Sequence, residues 1–298
     1  MTPKICLGTV QFGLPYGITN SAGQVAEAEV ASILTQAAAA GIRLLDTAQA
    51  YGEAEQVLGR TLTQGHGFAV ISKLPAQAQL NFTAVDQSIW EAGFKTSCQR
   101  LGLSSLDALL LHSPADLRKP GGEWLGQWLI SLRERGLVHR IGVSIYAAED
   151  LEGIDPALLD LVQLPLSLYD QRLLQDGTIE RLHSEGCAIH ARSVLLQGLL
   201  VQPVEYWPKF LSTKIKTHHS KLIQAAESIQ LTLQQLSLAF VRQCSFLEAV
   251  LVGVTSSREL SELLDAWSPL LAAEQLANDP SWEWLNATDL DPRRWPSL

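Results

Sequence analysis

Asp46 and Tyr51 bracket a short turn in the stretch Arg43-Leu44-Leu45-Asp46-Thr47-Ala48-Gln49-Ala50-Tyr51-Gly52-Glu53. The apolar run before Asp46 reads as a strand whose carboxyl end presents that carboxylate, and the loop after it can fold Tyr51 back over the same mouth. A tyrosine with an ordinary pKa of about 10 is a poor proton donor near neutral pH unless a cation lowers it. The next apolar run, Phe68-Ala69-Val70-Ile71-Ser72-Lys73, ends in such a cation. A unit charge about 4 Å away is worth roughly 4 kcal/mol at an effective dielectric of about 20, enough to move a phenol by roughly two to three units. A third run, Leu106-Asp107-Ala108-Leu109-Leu110-Leu111-His112, ends in an imidazole. Together the four groups can deliver a proton and a fixed dipole to an oxygen that is gaining negative charge. Taken singly, Asp46 and Lys73 would be a buried ion pair and His112 a core histidine.

Such convergence requires strands that point the same way and end at one face. The spacing predicts strands over Ile5–Thr9, an apolar run ending at Asp46, Ala69–Lys73, Leu106–His112, Arg140–Ser144, Leu161–Leu164, Cys187–Ala191 and Ala249–Val252. Helical periodicity fills the gaps: Val25–Ala40, Glu53–Leu62, Asn81–Leu101, Trp124–Arg135, a short helix over Ala147–Gly153, Leu173–Glu185, Lys214–Gln230 and Thr232–Gln243. Continuously apolar strands separated by helices suit a parallel sheet buried on both faces, and eight such units close a (β/α)8 TIM barrel. A doubly wound sheet would carry Gly-x-Gly-x-x-Gly after its first strand, whereas the early glycines here are Gly8, Gly13 and Gly17. No linker or low-complexity tract divides the chain, so residues 1–298 read as one domain.

Composition excludes several classes. Apolar residues make up 47% and charged residues 18% of the 298, with no apolar run long enough for a membrane span. The net charge of −9 disfavours nucleic acid, whose phosphates need a basic face. The start, Met1-Thr2-Pro3-Lys4-Ile5-Cys6, has no secretory pattern, which makes the cytoplasm the expected location. Cys6, Cys98, Cys187 and Cys244 stand apart from one another and read as reduced thiols, and His218-His219 reads as a solvated helix turn rather than a ligand pair.

The motifs Leu7-Gly8-Thr9 with Gln11-Phe12-Gly13, Asp46 to Gly52, Ser72-Lys73, Leu110-Leu111-His112, Ile141-Gly142-Val143-Ser144 and Gly253 to Glu262 together resemble those of the aldo-keto reductases, single barrels that reduce carbonyls with NADPH. The resemblance implies a catalytic tetrad of Asp46, Tyr51, Lys73 and His112. Tyr51 would donate the proton, Lys73 lower its pKa, Asp46 hold Lys73, and His112 hydrogen-bond the substrate oxygen and share the proton. It also implies cofactor contacts from Gly8 and Thr9, from Ser144 and Gln163 to the nicotinamide carboxamide, from Gly253, Thr255 and Arg258 around the adenosine phosphate, and from Glu262 to the adenine amine.

Several positions depart from that pattern. Ile145 stands where the family has Asn, Arg192 where an aromatic ring commonly stacks on the nicotinamide, and Val252 where a lysine commonly precedes the phosphate turn. Arg192 either stacks in the ring's place or is a surface arginine, and Arg258 is expected to grip a 2′-phosphate, which favours NADPH with NADH as the second option. The family's amino-terminal hairpin has no room before the first strand, so the barrel floor is expected to be closed otherwise or thin. Trp207 and the tail tryptophans Trp267, Trp282, Trp284 and Trp295 are candidate walls of the substrate pocket. The implied substrate is a small aldehyde, ketone or sugar-like carbonyl. The alternatives are a regulatory NADPH-binding subunit and a barrel using Lys73 as a Schiff base.

Overall fold

The structure, a computed structural model, describes residues 2–63 and 65–296. Eight parallel strands follow one another around a closed barrel: β1 Lys4–Gly8, β2 Leu44–Asp46, β3 Ala69–Leu74, β4 Leu106–Leu111, β5 Val138–Ser144, β6 Leu161–Pro165, β7 Ala188–Arg192 and β8 Ala249–Gly253, which pairs back onto β1. The outer helices are α1 Glu27–Ala39, α2 Ala54–Thr61, α3 Asp86–Leu101, α4 Gly122–Glu134, α5 Thr178–Ser184, α6 Thr213–Ser228, α7 Leu233–Arg242 and α8 Ser257–Ala266, followed by α9 Leu271–Ala277 in the tail. The (β/α)8 architecture expected from the alternation is the one observed.

The two-residue period of a strand decides which side chains enter the barrel. Cys6, Leu44, Ile71, Ala108, Leu110, Leu161 and Ala249 form a small apolar cluster of their own inside it. Their neighbours Leu7, Leu45, Val70, Leu109, Val162, Ile189 and Val250 face outward and pack with Ile33, Leu58, Phe94 and Leu129 from the helices. Burying each such side chain contributes about 1.5–3 kcal/mol. Two residues beyond the inner cluster, on the same inward register, come Asp46 after Leu44, Lys73 after Ile71, His112 after Leu110 and Gln163 after Leu161. Apolar filling below and polar groups at the carboxyl end thus follow from one alternation.

Some boundaries differ from the periodicity. The helix expected over Leu173–Glu185 is two pieces, Arg172–Gln175 and α5, broken at Gly177, whose φ of 80° is left-handed. The helix expected from Asn81 begins only at Asp86, whose carboxylate accepts from the Thr83 amide and hydroxyl and so holds the preceding residues in a turn. Between β5 and β6 the expected short helix is a 3-10 turn over Ala148–Leu151.

At the amino-terminal end an ionic network crosses the barrel. The Arg140 guanidinium bridges Asp107 and Glu248, and Glu248 also meets the His190 Nε2 at 3.1 Å. A cavity of about 770 Å³ lies at this end, lined by Pro3, Lys4, Arg140, Glu248 and Trp267 among others. An ionic network of Asp107, Arg140, His190 and Glu248 thus spans the barrel floor.

Candidate active site

Lys73 is the centre of the mouth. Its Nζ donates to Asp46 Oδ1 at 2.5 Å, to the Thr47 carbonyl at 3.0 Å and to Tyr51 Oη at 3.3 Å, so all three ammonium protons are directed. The Lys73 and Asp46 side chains are 1% and 3% exposed, so the pair is unscreened. Asp46 Oδ2 accepts from Gln163 Nε2, which ties β2 to β6 across the barrel. The Thr9 amide and hydroxyl both donate to the Asp46 carbonyl at 2.9 Å, fixing the end of β2 against β1. The ring of His112 meets that of Tyr51 edge-on, with centroids 5.7 Å apart.

Tyr51 reaches this position because two glycines let its loop approach β1. A Cβ on Gly13 would lie 1.9 Å from the Tyr51 carbonyl oxygen, and one on Gly52, at φ 56°, would lie 2.4 Å from the Gly13 oxygen. Side chains at either place would push the phenol off its station.

Burial pushes the Tyr51 phenol above the ordinary tyrosine value, and Lys73 only partly offsets that push. The lowering expected from the sequence is thus outweighed by desolvation, a cost that primary structure does not display. For Lys73, burial works against the charge, yet Asp46 and Tyr51 together raise its pKa above the ordinary lysine value. A firmly protonated lysine is a poor Schiff-base nucleophile. Burial, with Lys73 and Arg192 adding to it, drives His112 down to about 3, so its imidazole is neutral and has one N–H to donate.

Asp46, Tyr51, Lys73 and His112 line a cavity of about 1090 Å³ that runs from β3 and β4 to the turn after β8. Gly8, Thr9, Ser144, Gln163, Arg192, Gly253, Thr255 and Glu262 all line it. Gln163 Oε1 is buried without a hydrogen-bond partner, an open acceptor suited to a carboxamide NH2. The loop after β7 runs through left-handed residues at Ser193, Leu196 and Gln197 and hydrogen-bonds the loop after β1, through Ile18 N to Gln197 Oε1 and Thr19 Oγ1 to Gln197 O. Both loops line the cavity.

The model of the aldo/keto reductase family matches residues 4–278. The chain belongs to that family. An aldo-keto reductase of Mycolicibacterium vanbaalenii is 33% identical over 137 residues, 44% of this chain and 46% of that protein. An aldo-keto reductase of Mycobacterium sp. (strain KMS) is 32% identical over 202 residues, 64% of this chain and 66% of that one. The chain thus spans about half the length of the first of these relatives. Among solved structures, an aldo-keto reductase from Bacillus halodurans in its holo form matches with a TM-score of 0.73 at 18% identity, covering 93% of this chain and 91% of that one. The barrel of this aldo-keto reductase is thereby placed among its structural relatives.

Other expected residues of this aldo-keto reductase are placed or engaged differently from the expectation. Arg258 is absent from the cavity wall; its side chain is 86% exposed and pairs with Glu262 at 3.0 Å. Of α8, Glu259, Glu262 and Leu263 line the cavity, and Glu259 is the one bonded to Thr255. Arg192 lies 3.8 Å over the Tyr146 ring and donates to the Ser144 hydroxyl and the Ile145 carbonyl, so its plane is already stacked on this chain's own aromatic. Among the described residues, none of Trp207, Trp267, Trp282, Trp284 and Trp295 lines the cavity. Trp207 and Trp282 pack around the histidine pair: His219 is buried between Tyr169 and the Gln202 carbonyl, and His218 meets the Trp282 carbonyl. The tail reaches the site through Arg293 instead, 4.0 Å from the Tyr146 ring.

The sequence reading missed Gln11, Tyr146 and Glu259. Gln11 lines the cavity with an unpartnered Oε1 and lay in plain view within Gln11-Phe12-Gly13. Glu259 was legible as the fourth residue of Ser256-Ser257-Arg258-Glu259, a helix-start pattern in which the acid folds back onto the turn.

Proposed function

We propose that the chain is an NAD(P)H-dependent oxidoreductase that reduces aldehyde, ketone or sugar-like carbonyls to alcohols, reversibly. The observation that carries this reading is the Tyr51 hydroxyl held 3.3 Å from a buried, Asp46-paired Lys73 at the mouth of a large cavity. The nicotinamide end fits: Ser144 and the open Gln163 Oε1 are suited to the carboxamide, at the level of the tetrad. A bound reduced nicotinamide supplies the hydride.

The chain's own groups handle the oxygen. Tyr51 Oη and the neutral His112 imidazole direct hydrogen bonds at the carbonyl oxygen and polarise it. As negative charge builds there, the Tyr51 proton moves to the oxygen, which as an alkoxide is far more basic than a phenolate. A phenol with a raised pKa therefore still donates downhill. Lys73 stabilises the phenolate left behind, and Asp46 with Gln163 keeps the ammonium in place. In the reverse direction the phenolate takes the alcohol proton.

The test is Tyr51→Phe. Turnover of a carbonyl panel should fall by about 10²-fold or more, while dinucleotide affinity by fluorescence quenching changes less than about twofold. Retained turnover would remove Tyr51 from the chemistry, and a wild type that binds dinucleotide but reduces no carbonyl in a broad panel would favour a regulatory binding role.

A further inference from the structure

The cation at the start of α8, where the adenosine end of a dinucleotide would lie, is Arg258, which pairs with Glu262 and does not line the cavity. Glu259 folds back so that its carboxylate accepts from the Thr255 amide at 2.6 Å and the Thr255 hydroxyl at 2.8 Å. Glu29 takes the Ser257 amide at 2.5 Å and the Ser257 hydroxyl at 2.8 Å, and the Ser256 hydroxyl caps the Glu259 amide. A helix N-terminus attracts anions through such free amides and their dipole. Here two carboxylates of the chain itself have taken that role.

The rest of the wall agrees. The lysines and arginines that line the cavity are Lys73, bound to Asp46, and Arg192, bound to Ser144 and Ile145 on the β5 side. Glu227, Glu259 and Glu262 line the part formed by α6, α8 and the turns beside them. Arg258 points to solvent. A 2′-phosphate carries about −1.5 to −2 charges at neutral pH, by analogy with other phosphate monoesters, and would meet carboxylates, with no guanidinium or ammonium among the described residues that line this part of the cavity. A ribose 2′-hydroxyl instead donates a hydrogen bond, and a carboxylate oxygen with spare lone pairs accepts it.

We infer that this site discriminates against the 2′-phosphate and takes NADH rather than NADPH, with Glu259 as the residue that decides. The inference rests on the reading of the cavity as a dinucleotide site and is at odds with the family's habitual NADP(H). Glu259 also caps its own helix, and that structural duty is what holds its carboxylate at the turn.

The experiment is equilibrium binding of NADH and NADPH to the full chain, by quenching of tryptophan fluorescence and by calorimetry, for wild type, Glu259→Gln, Glu259→Arg and Arg258→Ala. Wild type should bind NADH at least about tenfold more tightly than NADPH, since tenfold needs only modest like-charge repulsion. Glu259→Gln, which keeps the side-chain length and one acceptor oxygen, should narrow the ratio, and Glu259→Arg should reverse it. Arg258→Ala should leave the ratio within about twofold. Equal or tighter binding of NADPH by wild type overturns the inference while leaving the dinucleotide reading intact. A ratio that survives Glu259→Gln and Glu259→Arg unchanged, in variants whose circular dichroism and melting match wild type, removes Glu259 as the discriminator. Binding of neither dinucleotide overturns both readings together.

Discussion

Replacing Lys73 by Met keeps the side chain's length and removes its charge. In the native protein that ammonium donates to Asp46, Thr47 and Tyr51, and both members of the ion pair are almost wholly buried. Without it, the Asp46 carboxylate keeps Gln163 Nε2 as its side-chain donor and holds a buried charge with no counter-ion. Breaking a buried pair in this one-sided way costs about 3–5 kcal/mol. For a barrel of this length, with an unfolding entropy of about 2.1 cal/mol/K per residue, that loss lowers Tm by about 5–8 °C. The double variant Asp46→Asn/Lys73→Met removes both charges and should recover half or more of the deficit, although turnover is lost in single and double variants alike. Differential scanning fluorimetry and chemical denaturation of the three proteins, beside turnover, make the comparison. A Lys73→Met protein that melts within about 1 °C of wild type, or a double variant no more stable than the single, would refute the account of Asp46 as a charge that needs this partner.

The close approach of Gly13 to the Tyr51 loop gives a second prediction. Gly13→Ala puts a methyl 1.9 Å from the Tyr51 oxygen, so the loop must shift, costing about 1–3 kcal/mol of stability and lowering turnover at least tenfold with dinucleotide affinity little changed; unaltered turnover would show that the phenol tolerates displacement. The reduction rate should be level from pH about 5 to about 9 and fall only as the raised phenol of Tyr51 ionises, because His112 is neutral throughout. A titration of the rate near pH 6.5 would contradict the neutral imidazole. His112 and His219, held down to about 3 and about 4, bind fewer protons folded than unfolded, so stability is lost as pH falls from about 6.5 towards those values. Melting temperatures that stay flat over that window would oppose it. Lys73 acts at the other end: its raised pKa keeps its contribution present below the ordinary lysine value, to be lost only as pH climbs through the folded value.

Much of this protein was legible from its linear pattern. Alternating apolar strands and amphipathic helices dictate a parallel barrel, and the two-residue period carries Asp46, Lys73, His112 and Gln163 inward from apolar neighbours, because the covalent geometry of a strand is local. What depends on the surroundings was not legible. Desolvation of Tyr51, the seating of His219 between Tyr169 and Gln202, and the docking of the tail through Arg293 onto Tyr146 arise from groups far apart in the chain. Nor could spacing choose between Arg258 and Glu259, adjacent on a helix and separated by about 100° around its axis. Only the packed α8 decides which of the two faces the cavity, and so which sign of charge stands there.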